Sequence, residues 1–552
     1  MKLDFYKQKN SIFLVTFYLI ALIVALINLD DFGIHIEEKY HRLNGHYWLN
    51  YISKIFGLID LQNITDNKIN EIGDYTLNPV SVYNKYGVVL DLPAAFLEIL
   101  FNIENVSSIY FYKHFLSFSI FLISSYFFYK ILNKRYNNFF ISFVGLFLYV
   151  TTPRILGDSF LYKDILFLSF LTISLFFLLE AIDKLNLKNL ILFALFNALA
   201  INLRVFAILL PFSFIIILLI KNFYENSFFK FSKKIFVYLF YLVLFIYIFW
   251  PYLWANPLAN FIDLFISLGD HKNIVNMKIL YSGKYIPNIT LPDTYIINWI
   301  AISSPFLQTV FFLFGYIYYS RRFLNRFLKI DNNLIYNDLW RGKDEQIDFI
   351  FFFIFTVFFI IFLFTNAPLY NGWRIVYFFN IFIVYFGMNF LDILLKISRK
   401  NKFKKFTLLI IIYSAMVYNI FSLYIHHPYQ SIYFSSFLNE ESKNSFEGDY
   451  YGLSAKHFFK KIDMLDSRNK LKISIASHTP LQRGLESLSL ELQNKFEIVG
   501  QEYQSSDYIF RNNISEVNSK LNNKYEIPKN FSKIYEHKIN KISIYEIYKL
   551  TE

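Results

Sequence analysis

The sequence of 552 residues contains no cysteine. That excludes disulfides, a cysteine-ligated zinc site and an iron–sulfur cluster, without reporting on the compartment. Charged residues are scarce at 17%, where soluble chains carry about 25%. There is no Walker A loop, Rossmann glycine fingerprint, His-Glu-x-x-His or Gly-x-Ser-x-Gly motif. ATP-driven transport and zinc proteolysis therefore lack their usual signatures. Internal repeats, inverted halves and low-complexity tracts are missing too. What is present is apolar bulk: 55% of residues are hydrophobic, with 68 Phe and 43 Tyr. So much apolar surface rules out both disorder and a string of soluble domains. The composition is that of a polytopic membrane protein.

An apolar run of about 20 residues spans a bilayer as a helix. Such runs lie near 11–29, 111–131, 138–152, 165–181, 189–203, 205–220, 235–250, 298–320, 348–365, 375–394 and 406–424. They predict an all-α membrane module over 1–424 with about eleven spans. The first run is long for a secretory signal and lacks a small-residue cleavage site, so it reads as a retained anchor. The net charge of +12 does not point to nucleic acid, because the bases sit between apolar runs and set orientation. The connections 2–10, 129–138, 182–189, 221–234, 321–347 and 395–405 hold 24 Lys or Arg against 7 Asp or Glu. The opposite loop, 30–109, holds 5 against 11. This places the N-terminus in the cytoplasm and the tail outside, in the periplasm of a bacterial inner membrane.

Three outer segments are long: 30–109, 251–297 and the tail 425–552. Within the first, 87–101 mixes Asp91, Pro93 and Glu98 into an apolar stretch, as an interfacial helix does. In the tail, 471–477, 506–510 and 541–550 alternate like strands, and 485–496 reads as one helix. The tail is expected to form a small α/β domain.

Polar residues at the ends of spans are costly and mark function more often than surface charges do. Four outer clusters stand out. Asp30 and Asp31, then Glu37 and Glu38, follow the first span, where a carboxylate could act as general base towards an acceptor. A solvated helix face is the plainer reading of these acids. Arg154, Asp158, Lys163 and Asp164 crowd a short connection where the charge rule disfavours bases; they suit an anionic ligand, or simply pair with each other. Arg204 lies at an outer turn between apolar helices, where a phosphate or an Asp of the preceding cluster would satisfy its planar fork. Tyr370, Trp373 and Arg374 mark an outer helix start that favours an anion. The spacings of His35, His41 and His46 do not align on one helix face, which argues against a metal site. Acids from separate outer loops could still hold a divalent cation.

In this order, the elements resemble the membrane glycosyltransferases of the GT-C superfold, in particular the family 39 protein mannosyltransferases and the lipid A aminoarabinose transferases. Glu37-Glu38 resembles the family's Asp-Glu pair, with Glu in place of the usual Asp. Pro153-Arg154 and Lys163-Asp164 resemble a stretch after the third span, and Gly372-Trp373-Arg374 an element of bacterial members. Residues 426–454 resemble the signature opening the outer tail, with Ser435 in place of Asn and Tyr451 in place of Trp.

The resemblance implies an inverting, hexosyltransferase-type enzyme using a polyprenyl-phosphate-linked sugar at the outer face. Its acceptor would be a lipid, glycan or protein, and its surroundings membrane lipid. Glu37, Glu38 or Asp31 would supply the base. Arg154, Asp158, Lys163, Asp164, Arg204, Tyr370 and Arg374 would bind the donor's phosphate and sugar. No nucleotide site is needed, in keeping with the missing motifs. A lipid-linked glycan flippase or a surface polysaccharide polymerase or ligase are the rival readings.

Overall fold

The computed structural model describes residues 2–73, 85–161, 164–225, 228–274, 278–327, 339–364, 369–514 and 523–551. Among them, seven helices are long and apolar enough to cross a bilayer. They are Gln8–Asp31, Val106–Tyr136, Asp164–Asp183, Phe231–Phe249, Lys343–Phe364, Phe379–Ser398 and Lys402–Ile425. An eighth candidate is the pair Phe139–Thr151 and Pro153–Ser159, bent by 64°. The bend falls at Thr152, which is extended, and at Pro153, whose ring and missing N–H cannot continue a helix. Leu187–Leu203 and Val205–Lys221 are apolar but shorter.

Among the described residues the apolar runs fall mainly on helices, but the run 298–320 is not one span. It divides into Tyr295–Ser303 and Phe306–Phe327, parted at an extended Ser304. Pro305 explains the break, because the residue before a proline is pushed out of the helical region. Asparagines start several helices by accepting first-turn N–H groups: Asn105 from Ser107, Asn138 from Phe140 and Ile141, Asn186 from Asn189, and Asn401 from Lys404.

Burial separates the centre of the bundle from its rim. Asp164–Asp183 is buried almost all round, whereas the first span exposes Ile12, Leu19, Ile23 and Ile27 to what would be lipid. Phe306–Phe327 and Phe379–Ser398 approach closely at Gly315, where any Cβ would lie 1.9 Å from the Phe386 carbonyl oxygen.

The first outer segment forms the helices Glu38–Ile55, Ile59–Ile72 and Asp91–Leu100. In the tail, a five-stranded sheet runs in the order Phe496–Ile498, Leu471–Ile475, Tyr508–Arg511, Ile542–Leu550 and Phe531–Ile539. The first three strands are parallel and the last two antiparallel to their neighbours. The helix Ser454–Leu465 packs on this sheet through Phe458 and Phe459. The stretch expected as one helix is two, Leu481–Glu486 and Leu490–Lys495. Ser487 bonds back to the Gly484 carbonyl and Ser489 is extended, the usual competition of serine with helix. Residues 426–453 link the last span to this unit and bury Tyr429, Tyr433, Tyr450 and Tyr451.

Candidate active site

Asp164 opens the central helix, where the helix N-terminus favours a carboxylate. Arg204 Nη2 donates to its Oδ1, and Arg374 Nη1 lies 3.6 Å from its Oδ2. Arg204 reaches it from an extended break between Leu187–Leu203 and Val205–Ile208. Arg374 also donates from Nη2 to Glu37 Oε1 at 2.6 Å, and its Nη1 lies 3.1 Å from His35 Nε2. The rings of Tyr370 and Tyr451 sit 4.8 and 5.6 Å from the Arg374 guanidinium.

Glu37, Arg374, Asp164 and Arg204 thus form one string of alternating charge. It is drawn from four separate stretches of chain. Each member satisfies its neighbours, which a largely buried charge requires. Burial pushes the His35 imidazole down to about 4, against Glu37, and Arg374 adds to the fall.

The neighbouring acids face elsewhere. Glu38 is fully buried and pairs with His114 Nε2 at 3.0 Å. Burial alone would raise its carboxyl, but His114 and Lys113 outweigh that and hold it below the usual range. Asp31 is exposed and meets His427 Nε2 at 2.9 Å. Of the three acids read as the base, only Glu37 joins the string. In the second cluster, Asp158 accepts from the Tyr451 hydroxyl, not from a base. Arg154 is fully buried, donates from Nε to the Tyr433 carbonyl at 2.9 Å, and lies 4.9 Å from both the Trp299 and Phe434 ring centroids. Lys163 lies outside the described residues.

Glu447 is a residue sequence reasoning missed. It is buried, and burial pushes its carboxyl up to about 8, against Arg374, the Gly372 and Asn371 amides and Arg154. His114 and Lys113 were missed as well, and His35 was weighed only as a metal ligand. A Lys-His pair inside an apolar run was the available signal for His114 and Lys113. Glu447 carried no such signal, standing in a polar stretch after the last span.

Among the described residues, no group of three His, Asp or Glu gathers as a cation site. A groove of about 400 Å³ opens between the helices that contain Leu148, Phe311, Met388 and Ile411, with Gln308 and Tyr418 also lining it.

Residues 92–254 match the family model described as dolichyl-phosphate-mannose-protein mannosyltransferase. No curated protein matches the chain at a significant level. Among solved structures, one similar chain is the archaeal oligosaccharyltransferase AglB from Archaeoglobus fulgidus, in complex with an inhibitory peptide and a dolichol-phosphate. It has 11% identity and a TM-score of 0.45, over 91% of this chain and 70% of that one. Another is ArnT from Cupriavidus metallidurans bound to undecaprenyl phosphate, at 8% identity and TM-score 0.44, over 97% of each chain. Over residues 92–254, the chain therefore resembles the dolichyl-phosphate-mannose-protein mannosyltransferases in sequence.

Proposed function

We propose that this protein is an inverting glycosyltransferase that moves a sugar from a polyprenyl-phosphate donor to an acceptor at the outer face of a bacterial inner membrane. The observation that carries the reading is the string Glu37–Arg374–Asp164–Arg204, which sets a carboxylate beside fixed guanidinium groups at the ends of spans. The Glu37 carboxylate takes the proton of the acceptor hydroxyl or amine. The acceptor attacks the anomeric carbon from the face opposite the phosphate and inverts it. The C–O bond to phosphate breaks and the lipid phosphate leaves with its electron pair. Arg374 and Arg204 stabilise the charge that grows there. Phosphate is a good leaving group, so no general acid is required. Glu37 suits the base role because it is the more open carboxylate of the string, with 12% of its side chain exposed against 6% for Asp164. The groove beside Leu148 and Phe311 suits the donor's hydrocarbon chain.

A flippase would need an open polar path through both leaflets. At the other end of Val106–Tyr136, Arg135 is closed onto Asp348 by two bonds of 2.7 Å, and Tyr385 donates to the same carboxylate. That end offers a sealed pair, which favours the transferase. The acceptor class is taken to be a lipid, glycan or protein. A polyprenyl phosphate should raise the melting temperature of the purified protein, and a phosphate-free polyprenol should not. Equal shifts from both would count against phosphate recognition.

A further inference from the structure

Residues 33–35, just before Glu37, form neither helix nor strand, so their path is set by what they lie against. They lie against the tail. The Ile36 N–H donates to the Tyr451 carbonyl at 3.1 Å, and the His35 and Tyr451 ring centroids are 4.3 Å apart. A Cβ on Gly33 would lie 2.3 Å from the Leu453 carbonyl oxygen, so only glycine lets the two backbones come this close. Lys456 Nζ donates to the carbonyl and, at 3.1 Å, to the Oδ1 of Asp30. As one segment runs from 30 to 36, the other runs back from 456 to 451.

The tail side of this contact is held on its own account. The Asp449 carboxylate accepts from the Leu453 and Ser454 amides at 2.9 and 3.0 Å, which closes the turn. The Tyr451 hydroxyl donates to Asp158, and the Tyr450 hydroxyl lies 3.3 Å from that of Tyr377. The Tyr451 ring also lies 5.6 Å from the Arg374 guanidinium. One buried residue therefore touches the chain on both sides of the Glu37–Arg374 pair.

We infer that the outer tail completes the active site, with Tyr451 as a positioning residue: its carbonyl and ring fix residues 35–36, its hydroxyl is anchored on Asp158, and together they set the angle at which Glu37 meets Arg374. The functional half of this inference rests on the glycosyltransferase reading; the docking half does not.

Docking is measured without substrate, by hydrogen exchange of full-length protein in nanodiscs. Gly33→Ala forces the two backbones apart, so the Ile36 amide should exchange about tenfold faster, the worth of one hydrogen bond. Exchange in the central helix Asp164–Asp183 should stay as in the wild type. If Gly33→Ala does not fold, Lys456→Met takes its place, since it cuts the tie to Asp30 and leaves both backbones intact; the same amide should then speed up. Unchanged exchange at Ile36 in the folded variant overturns the inference.

With a donor that the wild type turns over, Tyr451→Ala should lower kcat by on the order of a hundredfold while KM moves little, as a misplacement of about 1 Å does. Tyr451→Phe keeps the ring and should fall between the two. In a Glu37→Gln background, Tyr451→Ala should cost little more, because a residue that acts through Glu37 has nothing left to position. A further full hundredfold loss there, or a loss confined to KM, would overturn positioning. A wild type that transfers no sugar would overturn the function reading and leave the exchange result standing.

Discussion

Arg374 donates to Glu37 at 2.6 Å across 337 positions of sequence. The bond holds the first outer loop against the turn that precedes Phe379–Ser398. It also separates Glu37 from Asp31, which lies exposed against His427.

Glu37→Gln is expected to lower turnover by roughly 10²–10⁴-fold, the usual worth of a general base. Asp31→Asn should remain close to wild type. Steady-state assays of both variants decide between the two acids, and the opposite ranking would move the base to Asp31.

For Arg204, the partner is Asp164 rather than Asp158. Arg204→Ala should therefore destabilise the protein by about 3–5 kcal/mol, the cost of orphaning a buried charge. Asp164→Asn should recover part of it, with a coupling of about 1–3 kcal/mol in a double-mutant cycle. Asp158→Asn should recover none. Thermal melts of the wild type, the three single variants and the two double variants give the answer, and additive losses from Arg204→Ala and Asp164→Asn would deny the pairing.

His35 gives the site an acid limb. Its folded value is about 4, below the ordinary 6.5, so the neutral ring is favoured in the folded protein. The stability it confers is present above about pH 6.5 and lost as pH falls towards 4. Over that window the ring stays neutral in the folded protein and gains a proton only on unfolding, because a protonated ring would be buried beside Arg374 as a like charge. Melting temperature should fall between pH 6.5 and 4 in the wild type and less steeply in His35→Gln. Parallel pH profiles would remove His35 from the titration.

Much of the architecture was legible because it depends on local pattern. Runs such as 165–181 and 406–424 are apolar over the length a bilayer demands, and 471–477 and 541–550 alternate with the period of a strand. The break at Ser304 was legible in Pro305, yet the apolar composition on either side outweighed it. The site was legible in part. Arg204, Asp164, Arg374 and Glu37 were each marked by the expense of a charge at a span end. Their order along the string was not, because Asp164 meets Arg204 and Arg374 only through the packing of distant helices. Glu38 looked equivalent to Glu37 in sequence, and a turn of one residue sends it to His114 instead. Glu447 was hidden for the same reason: only the packing of the tail segment buries it within reach of the Arg374 charge.

Orientation is open to direct test because the native chain has no cysteine. Met464→Cys, on an exposed position of the tail unit, should react with an impermeant maleimide in intact cells. Lys188→Cys, exposed before Leu190, should react only after permeabilisation. The reverse pattern would invert the topology and place the site on the cytoplasmic face.

The central claim is transfer of a sugar from a polyprenyl phosphate, and mass spectrometry of lipid-linked and surface glycans tests it most directly. Cells carrying the wild-type protein are compared with cells carrying only Glu37→Gln. The account predicts that a polyprenyl-phosphate-linked sugar accumulates in the variant while one surface glycan, lipid or protein loses that same sugar. Identical lipid-linked and surface profiles in the two strains, with both proteins present in the membrane at equal level, would contradict it.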